Sequence, residues 1–494
     1  MLRNYILAID NGTTSTRAVL VDAQSYEIVS SEGQEYPQIY PEPGWVEHNL
    51  NDIWNTVKLT ISKLIKKQNL NPQQIIAIGI TNQRETTCAF HENGYPLANA
   101  IVWQDRRTES FCKKNKKSFE KKYKKMTGLP LDAYFSATKM QWLLKNNPEV
   151  KLAAKSGHLR FGTIDTFLLY KLTKHKSFCT EASNASRTLL MNLKTTDWDA
   201  GLLKFFGISR KLLPEIKDSF GVFGVTEGLD FLPDNIPVTG ILGDQQAALF
   251  GQAGQKKGAF KCTYGTGAFA LLNTGDKILH SNHGLLTTVA YRYKNKTTYA
   301  LEGSSYIAGA AVQWLRDNLK LVKKASEIEA LAREVSNLDE MKNLLFHPFF
   351  TGIGTPYWVS EAKAAITGIT RDTNASHVAR ACLDGIALSV SDLVSAFEGK
   401  ISVREMRVDG GACANNFLMQ IQANFIGKKV IRPKIIETTA YGAALAAMIG
   451  IKKIDFNAIA DLWKFDQEFS PEKDLKYFKA KNEQWKNIIE KLYL

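Results

Sequence analysis

The chain has 494 residues, 44% of them hydrophobic and 23% charged, and its 63 Lys and Arg against 49 Asp and Glu leave a net charge of +14. A single hydrophobic core stops growing at about 250–300 residues, so this length argues against one core and predicts two domains. No apolar run approaches the ~20 residues of a membrane-spanning helix, and the six cysteines form no CxxC pair, so stable membrane insertion, a zinc ribbon and a disulfide framework are not expected.

Tyr5–Ile9 reads as an apolar strand, Asp10-Asn-Gly-Thr-Thr-Ser15 as a polar turn and Arg17–Asp22 as a second strand, so the chain opens on a β-hairpin. The five-residue apolar run ends at Asp10 and is too short for a secretory signal, which together with the cysteine pattern predicts a reducing, cytoplasmic compartment. Ile53–Ile65 and Ala137–Leu144 have helical apolar spacing, and Ile75–Ile80 reads as a buried strand. Between them, Lys113–Lys125 carries eight lysines and one acid. It is either a polyanion-binding patch or a solvated helix face. Phe119 and Tyr123 at helical spacing, with no arginine for bidentate phosphate contacts, favour the solvated face, and no nucleic-acid partner is expected. Pro237–Leu242 predicts a strand ending at Gly243-Asp244, with a helix over Gln245–Phe250.

The opening pattern then recurs. Gly258–Cys262 reads as a strand, Thr263-Tyr-Gly-Thr-Gly267 as a glycine-rich turn and Ala268–Asn273 as a second strand. The repeat predicts two related α/β domains, 1–252 and 253–494. Further on, Ile307–Leu315 has helical spacing, Val408-Asp-Gly-Gly411 is a short strand breaking into glycines before a helix from about Asn415, and the lysine-rich tail after Pro471 reads as helix.

The signatures of P-loop NTPases and protein kinases are absent. Asp10 to Thr16 offers another way to hold a polyphosphate. Gly12 permits a tight turn, Thr13, Thr14 and Ser15 supply hydroxyl and N–H donors, and Asp10 is a hard oxygen ligand suited to magnesium. Such residues also make an ordinary polar turn, but the recurrence at Gly265-Thr266-Gly267 favours phosphate binding. Gly410-Gly411 either ends a strand or lets an adenine or ribose lie close, with Asn415 beside it. Asp244, between a strand and a helix, is an N-cap or a carboxylate able to take a proton from a hydroxyl. Arg84 and Glu85, at a strand end, form a local surface pair or bind vicinal hydroxyls. Trp103, Tyr134 and Phe269 are core aromatics or the walls of a pocket.

In order along the chain, Asp10 to Ser15, Ile80-Thr-Asn-Gln-Arg-Glu-Thr86, Asn99-Ala-Ile-Val-Trp-Gln104, Gly243-Asp-Gln-Gln-Ala-Ala-Leu-Phe-Gly251, Tyr264-Gly-Thr-Gly267 and Val408-Asp-Gly-Gly411 resemble the glycerol kinases of the FGGY carbohydrate kinase family. Tyr134–Asn146 fits the first family signature, and Gly368–Asp384 largely fits the second, with Cys382 where a small or aliphatic residue is usual. The resemblance spans about Tyr5 to Ile449. It implies two RNase H-like domains of the actin, hexokinase and Hsp70 ATPase type, facing each other across a catalytic cleft. It implies transfer of a phosphoryl group from ATP to glycerol with Mg2+, and assembly as a homodimer or homotetramer. It assigns Asp244 as general base, and Arg84, Glu85, Trp103, Tyr134, Asp244, Gln245 and Phe269 as the acceptor pocket. Thr13, Thr14, Ser15, Arg17, Thr266, Gly309, Gln313, Gly411 and Asn415 become nucleotide contacts and Asp10 the metal ligand. Some family members carry a regulatory loop, basic and glycine-rich or bearing a phosphorylatable histidine. Here Gly224–Asn235 has neither a basic residue nor a histidine, so neither control is expected. A kinase of another polyol or ketose, and an ATP-driven conformational module, remain as alternatives. Arg84, Glu85, Trp103 and Phe269 argue against the first, and a complete acceptor pocket against the second.

Overall fold

The opening hairpin forms the middle of a six-stranded sheet in the computed structural model, which describes residues 4–399 and 401–494. The first half of the chain contributes β1 (Tyr5–Asn11), β2 (Ser15–Asp22), β3 (Ile28–Glu35), α1 (Leu50–Lys67), β4 (Ile75–Asn82), α2 (Glu109–Thr127), α3 (Ser136–Asn146), β5 (Phe220–Val225), β6 (Pro237–Gly243) and α4 (Asp244–Gly251). The sheet order is β5-β6-β4-β1-β2-β3. β1 runs antiparallel to β2 and parallel to β4, and β6 runs parallel to β4. β1 is apolar without alternation because both of its faces are covered. Leu7 and Ile9 pack with Ile53, Val57 and Ile61 of α1, while Ile6 and Ala8 face the opposite core. Asn49 starts α1 by accepting the Asn51 N–H.

The second half builds a seven-stranded sheet from β7 (Phe260–Tyr264), β8 (Ala268–Gly275), β9 (Leu286–Tyr293), β10 (Lys296–Ser305), β11 (Glu405–Asp409), β12 (Lys429–Pro433) and β13 (Phe465–Phe469). Its order is β9-β10-β8-β7-β11-β12-β13. Its helices include α5 (Gly309–Asp317), α6 (Ala375–Phe397), α7 (Asn416–Ile426), α8 (Thr438–Gly450) and α9 (Lys476–Tyr493). β7 is antiparallel to β8 and parallel to β11, and β11 is parallel to β12. A hairpin flanked by two parallel strands thus occurs in each sheet, so the repeat seen in the sequence is a repeat of topology. β7 begins at Phe260, two residues after the predicted start, because Gly258 takes φ +89° in the preceding turn. On α2, Phe119 and Tyr123 are buried and all eight lysines from Lys113 to Lys125 are exposed, as on a solvated face.

α8 comes from the second half of the chain but packs on β1, β4, β6 and α4 of the first sheet. Glycines allow this approach. A Cβ on Gly79 would lie 2.1 Å from the Ala443 carbonyl oxygen, and one on Gly442 would lie 1.9 Å from that of Ala247. The resulting core joins Ile6, Ala8 and Leu242 to Ala444 and Met448, and reaches Leu271 and Ala300 of the second sheet. The parallel strands of both sheets end at one cleft: β1 at Asp10-Asn11, β6 at Gly243-Asp244 and β11 at Asp409-Gly410. Open α/β sheets bind ligands at such strand ends.

Candidate functional site

Three adjoining cavities occupy the cleft. The first, of about 340 Å3, is lined by Arg84, Glu85, Trp103, Tyr134, Asp244, Gln245 and Phe269, the full acceptor set expected from the resemblance. Thr13, Thr14 and Thr266 form its rim. The second is lined by Asp10, Gly12, Ser15 and Arg17 on one side and by Asp409, Gly410, Gly411 and Glu437 on the other. The third, about 620 Å3, takes Gly309, Gln313, Gly411 and Asn415 with the apolar Val312, Ile328, Leu383 and Leu418. Thr263 borders the first and second, Thr266 the first and third, and Gly411 the second and third.

The turn between β1 and β2 is held from behind. Its Gly12 carbonyl accepts from Tyr36 Oη and from Gln83 Nε2 at 3.1 Å. The Thr13 carbonyl accepts from Gln38 Nε2 at 3.1 Å, that of Thr14 from the Tyr36 N–H at 3.2 Å, and that of Ser15 from the Gly12 N–H at 3.0 Å. With its carbonyls engaged by the protein, the turn offers the cleft donors rather than acceptors, as an anion requires. The second turn is built alike. The Gly265 carbonyl accepts from the Gly309 N–H at 3.0 Å and that of Thr266 from the Ala308 N–H at 2.7 Å, which ties the turn to the start of α5. Gly309 and Gln313 lie one helical turn apart and line the same cavity, whereas Asn415 uses its Oδ1 to cap α7 at the Leu418 N–H, 2.8 Å away.

Asp244 is the first residue of α4 and not its cap, a position held by Gly243. Its Oδ1 pairs with Arg84 Nε at 2.9 Å and accepts the Gln245 N–H at 2.7 Å. Burial raises the Asp244 pKa, and Arg84 and the Gln245 N–H oppose that rise. Arg84 and Glu85 do not form a local surface pair. The Arg84 side chain is 2% exposed and its two terminal nitrogens clasp Glu302 at 2.6 and 3.0 Å. Glu85 Oε1 lies 2.5 Å from Arg187 Nε, and Arg187 Nη2 lies 3.2 Å from Glu302. Burial pushes the Glu302 pKa upward, but the two guanidiniums outweigh it and hold it at about 2. Burial raises Glu85, against the pull of Arg187 and Arg84.

The aromatic residues stand as walls. Trp103 meets Tyr134 edge-on at 5.3 Å and Phe269 at 6.4 Å between ring centroids, and its indole N–H donates to Thr13 Oγ1 at 3.0 Å. Arg17 reaches across the second cavity to pair with Glu437, which precedes α8. Burial, reinforced by Asp244, pushes the Asp10 carboxyl up to about 7.

Sequence reasoning missed Glu302, Arg187, Lys261, Thr263, Asp409, Tyr306 and Glu437. One of them carried a signal in retrospect: Lys261 is the single charge in the short strand Phe260–Tyr264, and an unpaired charge there is costly.

The profile of the FGGY family of carbohydrate kinases matches this chain twice, its N-terminal domain over residues 5–251 and its C-terminal domain over residues 260–451. A glycerol kinase of Bdellovibrio bacteriovorus is 47% identical over 498 aligned positions, covering 99% of this chain and 100% of that protein. A glycerol kinase of Thermococcus gammatolerans is 46% identical over 99% of this chain and 98% of its own length. The structure of Plasmodium falciparum glycerol kinase with ADP superposes with a TM-score of 0.89 at 37% identity, covering 100% of this chain and 99% of that one. A gluconate kinase of Lactobacillus acidophilus superposes at 0.88 with 22% identity, covering 99% and 98%, a likeness of fold. With both family profiles matched in order and relatives aligned over nearly the whole length, the chain belongs to the FGGY family of carbohydrate kinases.

Proposed function

We propose that this chain transfers the γ-phosphoryl group of ATP to a primary hydroxyl of glycerol, giving sn-glycerol 3-phosphate and ADP. The observation that carries this reading is the placement of Asp244 in a small cavity walled by Trp103, Tyr134 and Phe269, which opens onto two donor-lined turns. Arg84 beside it favours the ionised carboxylate, which can accept the hydroxyl proton as oxygen attacks phosphorus. Aromatic faces suit the carbon edge of a three-carbon polyol, and Glu85 and Gln245 supply polar partners for its hydroxyls. The apolar third cavity fits an adenosine, with the phosphates running between the turns toward Thr263 and the acceptor.

Phosphoryl transfer of this kind uses Mg2+, and the residues present fit it. Asp409 Oδ1 is buried without a hydrogen-bond partner, and it lines the same cavity as Asp10. No cluster of three or more His, Cys, Asp or Glu suited to a metal occurs among the described residues. Mg2+ ordinarily takes one or two carboxylates and completes its shell with phosphate oxygens and water. Asp10 and Asp409 would hold it there, where it would neutralise phosphate charge. We further propose that residues 1–252 form the glycerol domain and 253–494 the adenosine domain. The reading includes a cytoplasmic enzyme at the entry of glycerol catabolism, assembled as a homodimer or homotetramer.

The test is ADP release with glycerol, dihydroxyacetone, erythritol and xylulose. Glycerol is expected to give the highest kcat/KM, and a ketose above glycerol would overturn the substrate assignment. ADP release that is the same with and without an acceptor is the outcome expected of an ATP-driven conformational module.

A further inference from the structure

Lys261 and Thr263 lie two apart on β7, so their side chains leave the same face of the sheet. Lys261 is fully buried. Its ammonium contacts neutral oxygens: Gln245 Oε1 at 2.5 Å, Thr263 Oγ1 at 2.7 Å and the Phe269 carbonyl at 3.5 Å. A lysine taken wholly out of water costs stability unless such contacts repay it, and all three of these oxygens belong to residues that line the acceptor cavity.

The chemistry of the ammonium sets the polarity of its neighbours. It has donors only, so the Gln245 amide must turn Oε1 toward it, and Nε2 then remains for the acceptor cavity. Thr263 Oγ1 accepts from Lys261, so its own proton is left for the opposite side. That side is the junction of the acceptor and phosphate cavities, both of which Thr263 lines. Asp244, which lines the same cavity, carries acceptors alone when ionised.

We propose that Lys261 is a positioning residue that holds the Gln245 amide and the Thr263 hydroxyl as donors, and that Thr263 is a catalytic residue donating to an oxygen of the phosphoryl group in transit. This rests on the kinase reading above. No bond to either residue forms or breaks. The acceptor oxygen bonds to phosphorus, its proton passes to Asp244, and the electron pair of the cleaved P–O bond leaves with ADP. A donor aimed where charge develops contributes about 10²–10³-fold to kcat.

The experiment compares wild type with Thr263→Val, Thr263→Ser, Lys261→Met and the Lys261→Met/Thr263→Val double variant. Readouts are glycerol phosphorylation, ADP binding by calorimetry and thermal melting. Thr263→Val keeps the shape of the side chain and is expected to lower kcat about 10²-fold with ADP affinity retained and a lower melting temperature, because Lys261 loses one oxygen, and Thr263→Ser to recover most of both. Lys261→Met is expected to raise the KM for glycerol and lower kcat, and to cost kcat less in the Thr263→Val background than in wild type. The proposal is overturned by a Thr263→Val kcat within about threefold of wild type, or by losses that simply multiply in the double variant. If Lys261→Met does not fold, the Val and Ser variants of Thr263 still decide the catalytic assignment. Wild type inactive on glycerol but active on another acceptor sinks the substrate assignment alone. The variants are then compared on that acceptor.

Discussion

Arg84 holds two carboxylates, half-buried Asp244 and buried Glu302, and their environments drive them in opposite directions. Asp244 touches one side of one guanidinium and lines a cavity, so burial prevails and its pKa rises. Asp244→Asn keeps the size of the side chain but cannot take a proton, so kcat should fall about 10²–10⁴-fold while ADP binding, measured by calorimetry, is retained. Glu302 sits between two guanidiniums, and its folded pKa is about 2 against an ordinary 4.5. Its contribution, about 3 kcal/mol, is therefore present above pH 4.5 and lost as pH falls toward 2. Glu302→Gln should be less stable at pH 7 and should show a shallower loss between pH 5 and 3 in urea titrations. Glu181 works in the opposite sense: burial raises it to about 7, so the stability it contributes is lost as pH rises through that value. At this scale the sequence showed Arg84, Glu85 and Asp244, because they stand in motifs at strand ends. It did not show Arg187 or Glu302, whose partners lie about 100 and 200 positions away in the chain.

The two turns and the glycines around them carry the elements to the site. Both turns were legible, since Gly and Thr between two apolar runs, joined by Asp, Asn and Ser in the first, are turn residues. Illegible were Tyr36, Gln38 and Gln83, which engage the carbonyls of the first turn from elsewhere in the chain. Two glycines make opposite predictions. A Cβ on Gly411 meets nothing within 4 Å, and the residue lines both the second and the third cavity. Gly411→Ala should leave the melting temperature unchanged and raise the KM for ATP severalfold. Gly442 lies where α8 crosses α4. Gly442→Ala should lower stability by about 1–3 kcal/mol in denaturant titrations, as overpacking does.

The molecule as a whole is two sheets of repeated topology sharing one core through α4 and α8. The first cavity is lined mostly by residues of the first half of the chain and the third by residues of the second half, so ligands held in both would bridge the lobes. The Arg17–Glu437 pair already spans the cleft. Glycerol with a nucleotide should draw the lobes together and lower the radius of gyration in solution scattering, and curves unchanged by both ligands would count against closure. No described helix is long and apolar enough to cross a membrane. By itself the sequence determined the α/β class, the repeated hairpin, the family and the motif residues of the site. These are local or ordered along the chain, so spacing and residue type carry them. Only the tertiary structure decided that α8 crosses to the first sheet, that Arg84 and Arg187 share Glu302, and that Lys261 contacts Gln245 and Thr263. Those facts depend on which distant groups are desolvated together, and desolvation strengthens each charge contact without leaving a mark on residue order.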